Sequence, residues 1–106
     1  MSATHTFWVA SDEEYAARLG GVIRAARYFR EMSRESVAAA CGVNPETVAR
    51  WERGTVAVPA HVLHRLVDVL GVPADVLLDP PATRSDALVR IAAYDAVRAS
   101  RVEPAP

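Results

Sequence analysis

The 106-residue sequence has one cysteine, Cys41, and no lysine, so all twelve basic side chains are arginine. A lone thiol excludes an internal disulfide framework and any thiol cluster at metal-ligand spacing. No apolar run approaches the roughly 20 residues that a membrane helix needs. No charged-then-apolar leader opens the chain, and the expected compartment is the cytoplasm. Alternating apolar and polar residues, the mark of a half-buried strand, do not occur over any length, so an all-α fold is expected. An overall positive charge is also missing: the formal net charge is −1. That argues against a coat protein that holds nucleic acid by bulk charge alone. No nucleophile–base pair, carboxylate pair or glycine-rich phosphate loop stands in a supporting context, so neither catalysis nor a cofactor is expected.

What the chain does have is apolar content and a local charge imbalance. Hydrophobic residues make up 51% of it, enough for one core in a chain of this size. Between residues 18 and 53 there are seven arginines (18, 24, 27, 30, 34, 50, 53) and four glutamates (31, 35, 46, 52), an excess of three positive charges. Asp12, Glu13 and Glu14 precede that stretch, and Asp68, Asp75 and Asp79 follow it. For a specific binder this distribution matters more than the sum.

The punctuation divides the chain into an N-terminal arm (1–10), a helical domain (11–80) and a linker, further helix and tail (81–106). The arm carries the apolar patch Phe7-Trp8-Val9. Ser11 and Glu14 read as a capping box for a first helix reaching about residue 31. Tyr15, Leu19, Val22, Ile23, Ala26 and Phe29/Arg30 form its repeating face. Gly20-Gly21 inside it marks close packing or a kink. Ser33 caps a second helix, with Val37, Ala38 and Cys41 inward and Gly42 as its left-handed stop. Asn44-Pro45 restarts the chain as N-cap and first helical residue, and the third helix runs to Arg53 before Gly54. A fourth helix carries Val62, Leu63, Leu66, Val67 and Leu70 and stops at Gly71. A short fifth spans 73–78. After Pro80-Pro81, Ser85 or Asp86 starts a sixth helix ending near Ser100.

Two short helices joined through Gly42-Val43-Asn44 have the mechanics of a DNA reader. The first, 33–41, would lie across the DNA backbone, and the second, 45–53, would enter the major groove, which admits one helix. Ala38, Ala39 and Ala40 let the two approach, while Val43, Val48 and Trp51 anchor the second from behind. The stretch 19–78 resembles the lambda-repressor-like, or XRE, family of helix-turn-helix regulators. The resemblance rests on Leu19, Ile23, Arg24 and Arg27, then Ser33-Arg34-Glu35 and Val37-Ala38, then Cys41-Gly42-Val43-Asn44. It continues through Thr47-Val48, Arg50-Trp51-Glu52-Arg53-Gly54, Pro59, Leu66, Leu70-Gly71-Val72-Pro73 and Leu77-Leu78. It implies a compact five-helix domain that binds operator DNA, usually as a dimer, here with an additional C-terminal helix.

Carried over residue by residue, the resemblance places DNA-facing positions at Arg34, Asn44, Pro45, Glu46, Thr47 and Arg50. Arg34, where the family often has Gln, can reach a phosphate or a guanine. Asn44 and Thr47 suit phosphate contacts from a helix N-terminus. Pro45 offers only apolar contact, Glu46 can accept from a cytosine amine, and Arg50 can bond guanine in pairs. Arg53 either touches phosphate or complements the helix dipole. The family also pairs an arginine of the first helix with the glutamate before the closing glycine, which implies a structural ion pair between Arg27 and Glu52. One departure stands out. The loop after the third helix, commonly basic in the family, reads Thr55-Val56-Ala57-Val58 here.

The remaining candidates have plain readings beside the sharp ones. Cys41 is a small core residue, with no partner thiol for redox sensing. His61 and His64 are i, i+3 neighbours with no third metal ligand nearby, hence ordinary surface or boundary residues. The 86–100 helix supplies apolar surface that five helices do not obviously need, so it packs on its own domain or forms a homodimer interface. The expected function is sequence-specific regulation of transcription on a palindromic operator. The alternatives are an antitoxin that binds a toxin and represses its own operon, and a protein-interaction module that has lost DNA binding. In either of these, the apolar loop 55–58 or the C-terminal helix would meet the protein partner.

Overall fold

The computed structural model describes residues 12–101, which form six helices and no strand. They are α1 (Asp12–Phe29), α2 (Arg34–Cys41), α3 (Pro45–Arg53), α4 (Ala60–Leu70), α5 (Ala74–Leu78) and α6 (Arg84–Ser100). The first five make the expected all-helical domain, and α6 is the additional helix. The Ser11 cap and the Phe7-Trp8-Val9 patch lie outside the described residues. No described helix is long and apolar enough to cross a membrane.

The chain signals work through identifiable bonds. Ser33 accepts from the Ser36 amide at 3.0 Å and Asn44 from the Thr47 amide at 3.1 Å, satisfying donors that each helix start would otherwise orphan. Gly42 sits at φ 73° and its N–H returns to α2, so the reversal before α3 uses a backbone state that only glycine adopts without cost. Three ends differ from the sequence expectation, the least of them at α5, which starts at Ala74 with Pro73 as its N-cap. α1 stops at Phe29 because Glu31 turns left-handed, at φ 56°. The Glu31 amide then bonds the Tyr28 carbonyl and the Met32 amide the Arg27 carbonyl, a helix stop normally built on glycine. α6 starts at Arg84, because Thr83 is the N-cap that accepts from the Asp86 amide.

One core joins all six helices. Leu19, Val22, Ile23 and Ala26 of α1 meet Val37, Ala38 and Cys41 of α2, Val48 and Trp51 of α3, Leu66 and Leu70 of α4, and Val76 and Leu77 of α5. The expected α1 face ends one turn early: Phe29 is exposed, with the Arg30 guanidinium over its ring. Ala39 and Ala40 are also exposed, so of the three alanines expected to let α2 and α3 approach only Ala38 is buried. Gly20 is the close packing point of the glycine pair. A Cβ there would collide with the backbone carbonyl oxygens of Trp51 and Glu52, whereas one at Gly21 meets open space.

Of the two readings left open for the sixth helix, packing on its own domain accounts for its first half. Ala87 and Ile91 belong to the core, and Leu88 packs against it. Arg30 grips Asp95 through two bonds, at 2.6 and 2.7 Å, and donates to the Leu70 and Gly71 carbonyls at 2.9 and 2.6 Å. One guanidinium thus closes the C-terminal end of α4 and ties α6 to α1. Arg90 adds a bridge to Asp75 of α5. Beyond Asp95 every α6 residue is exposed, so this helix is packed in its first half and bare in its second.

Candidate nucleic-acid interface

The sequence of α3 fixes which of its faces is free. Val48, Ala49 and Trp51 are buried behind it, while Asn44, Pro45, Glu46, Arg50 and Arg53 are exposed and Thr47 is half-buried. The α2–turn–α3 unit therefore presents one polar, partly cationic ridge backed by an apolar anchor. Beside it runs a shallow open cleft between the starts of α2 and α3, lined by Arg27, Ser33, Arg34, Glu35, Pro45, Glu46 and Ala49. The positive side chains gather here although the chain as a whole is slightly acidic.

Not every candidate side chain is uncommitted. Thr47 donates its hydroxyl to the Asn44 side-chain oxygen at 3.2 Å, the same oxygen that caps α3. Asn44 therefore keeps its amide NH2 group for an outside acceptor, while Thr47 must turn its hydroxyl to donate to one. Glu46 lies 3.1 Å from Arg53 and 3.6 Å from Arg50, all three more than half exposed. Exposed pairs of this kind contribute about 0–1 kcal/mol, so they are cheap to break when a better partner arrives.

Arg27 and Glu52 come together behind this ridge. The guanidinium makes two bonds to the carboxylate, at 2.6 and 3.1 Å, and one to the Met32 carbonyl at 3.1 Å. Both side chains are nearly buried, at 7% and 3% exposure. The Glu52 hydrogen bond holds the Arg27 pKa above its already high value, against the opposing effect of burial. The geometry adds a third member: Arg34 bonds the same carboxylate at 3.1 Å and remains 42% exposed. Arg34 is thus pre-aimed from the start of α2, a role that its position alone does not disclose.

Other side chains brace the unit. Arg65 of α4 donates to the Cys41 carbonyl at 3.2 Å, and the Thr55 hydroxyl to the Arg50 carbonyl at 3.2 Å, so both short helices have a C-terminal partner. Tyr15 bonds the Leu77 carbonyl at 2.8 Å and ties the start of α1 to α5. Burial pushes the Cys41 thiol up despite nearby Arg65, which keeps it protonated and inert. His61 and His64 are exposed on α4. The apolar loop 55–58 borders a second cleft with Tyr15, Ala16, Leu19 and Trp51.

Comparisons with known proteins agree with this architecture. A search of curated protein sequences returns no significant match. Two crystal structures of the clp gene regulator ClgR from Corynebacterium glutamicum share the fold, each at 24% identity. One superposes with a TM-score of 0.52 over 74% of this chain and 90% of that one, the other with 0.53 over 82% of each. A family profile described as a helix-turn-helix domain matches residues 18–79, from the middle of α1 to just past α5. That span holds the capped α2, its left-handed turn and α3, and by it the chain belongs to the helix-turn-helix domain family.

Proposed function

We propose that this protein is a sequence-specific DNA-binding regulator of transcription that reads a palindromic operator by placing α3 in the major groove. The observation that carries the reading is the exposed ridge of α3 with Arg34 pre-aimed beside it, both held by the buried Arg27–Glu52 pair. On this reading Arg50 and Glu46 contact base edges. Arg34, Asn44, Thr47 and Arg53 contact the backbone, and Pro45 packs on a base methyl group. The family membership and the likeness in fold to the clp gene regulator ClgR support it. Two-fold pairing completes the proposal. One helix reads too few base pairs for a useful specificity ratio, whereas a homodimer spaces two of them about 34 Å apart, one DNA turn.

Binding selection from random duplex DNA tests the reading directly. The expected product is an inverted repeat with half-site centres one helical turn apart. On that site, Arg50→Ala and Glu46→Ala each relax preference at one base pair by about 1–3 kcal/mol. Unchanged relative affinity across all single-base variants of the site refutes those assignments.

A second reading, an antitoxin or other protein-binding module, is favoured by one observation. Val56 is exposed in a loop that lacks basic residues and borders an apolar cleft. The absence of any selected DNA sequence, together with a partner lost on Val56→Asp, decides for it.

A further inference from the structure

Outside the ridge, one cluster of charge has no explanation in the fold. Tyr28 lies on the outer side of α1 and is 48% exposed. Three guanidinium groups stand over its ring: Arg27 at 4.6 Å, Arg24 at 5.6 Å and Arg84 at 5.7 Å. Arg27 is neutralised by Glu52, but among the described residues neither Arg24 nor Arg84 has a carboxylate within ion-pair distance. Seven other arginines of the chain do. The ring face offsets part of the mutual repulsion, and an incoming anion would offset the rest. Arg24 and Arg84 lie far apart in sequence, and the docking of α6 on α1 brings them together.

We propose that Arg24, Tyr28 and Arg84 form a second phosphate-binding patch, which holds the DNA backbone flanking the half-site read by α3. This rests on the DNA-binding function proposed above. Continuity supports the assignment. Arg27 lines the cleft beside Arg34 on one side and packs against the Tyr28 ring on the other, so the patch adjoins the start of α2 through this one side chain. Each strand of a duplex carries a phosphate about every 3.4 Å of axis, so a backbone seated at Arg34 has further phosphates to offer beyond it. The chemistry fits: two planar guanidinium forks, each able to take two phosphate oxygens, flank a phenol hydroxyl that can donate to a third. Hydrogen bonding from Arg24, then from Arg27, holds the Tyr28 phenol below its ordinary value, in keeping with a positive field at this spot. The patch carries no base-reading function, so it adds affinity without sequence preference.

The salt dependence of binding tests the patch. The full chain is titrated onto its selected duplex with long flanks, as wild type, as R24Q/R84Q and as R24K/R84K. Each phosphate contact contributes about 0.9 to the slope of log K against log salt concentration. R24Q/R84Q is expected to have a shallower slope by about 2, with the ranking of single-base operator variants unchanged, while R24K/R84K keeps the wild-type slope. Trimming the flanks is expected to cost the wild type the same slope, a readout independent of how the variants fold. An equal slope for wild type and R24Q/R84Q, or no effect of trimming, overturns the proposal. So does capture of polyglutamate that depends on Arg24 and Arg84 with the DNA slope unmoved, which would assign the patch to an acidic protein. If the wild type selects no DNA sequence at all, the failure belongs to the function proposed above.

Discussion

Glu31 holds a backbone angle that glycine adopts freely and a glutamate does not, with φ at 56°. Its side chain is exposed, so nothing else requires it there. Glu31→Gly is expected to stabilise the chain by about 0.5–1 kcal/mol, the left-handed penalty less the entropy of a freer unfolded chain. Gly20 obeys the opposite rule. Gly20→Ala drives a methyl group into the α3 backbone and is expected to lower stability by about 1–3 kcal/mol as α1 and α3 separate, whereas Gly21→Ala is neutral or stabilising. The Arg27–Glu52 pair is the third residue-scale determinant. Arg27→Ala leaves a carboxylate that is 3% exposed with only the half-exposed Arg34, and is expected to cost about 3–5 kcal/mol. Thermal or urea melts of these four single variants check the expectations, and an unshifted midpoint for Arg27→Ala means that the pair contributes nothing to stability.

Among the elements, α6 matters most. Arg30 lowers the Asp95 carboxyl below its ordinary value of 3.8, chiefly through their hydrogen bonds. A depressed carboxylate adds stability that is present above its unfolded value and is lost as pH falls through its folded one. Acidification below about pH 4 should therefore loosen α6 in the wild type, while Asp95→Asn is weaker at neutral pH and less sensitive to acid over that range. Melting curves of the two proteins between pH 3 and 7 measure the difference. Parallel pH profiles would mean that the Arg30–Asp95 contact does not hold α6 in solution. Cutting the chain after residue 81 removes the same contact and also uncovers the core beside Ala87 and Ile91, so a lowered melting temperature is expected rather than an intact five-helix monomer.

For the whole molecule, the open question is what covers the outer stripe of α6. Val89 and Val97 are 66% and 47% exposed, with Ala93 and Ala96 also exposed between them. On the proposed homodimer, Val89→Ser/Val97→Ser leaves the monomer's melting behaviour almost unchanged and weakens both self-association and operator binding. Sedimentation at micromolar concentration separates the outcomes. A wild type that is monomeric yet binds the full operator at full strength removes dimerisation from the proposal. The variant thereby distinguishes the two faces of one helix, since Ile91 lies inward and Val89 outward.

Most of the element plan was legible in the sequence because it is set locally. Ser33 and Asn44 have side-chain oxygens within reach of orphan amides three residues on, and Gly42, Gly54 and Gly71 take left-handed angles without strain. Spacing alone likewise places Val48 and Trp51 behind α3 and leaves Arg50 free. The end of α1 was not legible, since a glutamate in a glycine's conformation breaks the local rule. Nor were the shared hold of Arg27 and Arg34 on Glu52, the Arg30 clamp, or the meeting of Arg24 and Arg84 at Tyr28. Each of these joins residues on different helices. A capping bond spans three residues of chain and is written in local sequence, whereas a guanidinium at the end of a long side chain takes whichever partner the packing of the helices delivers.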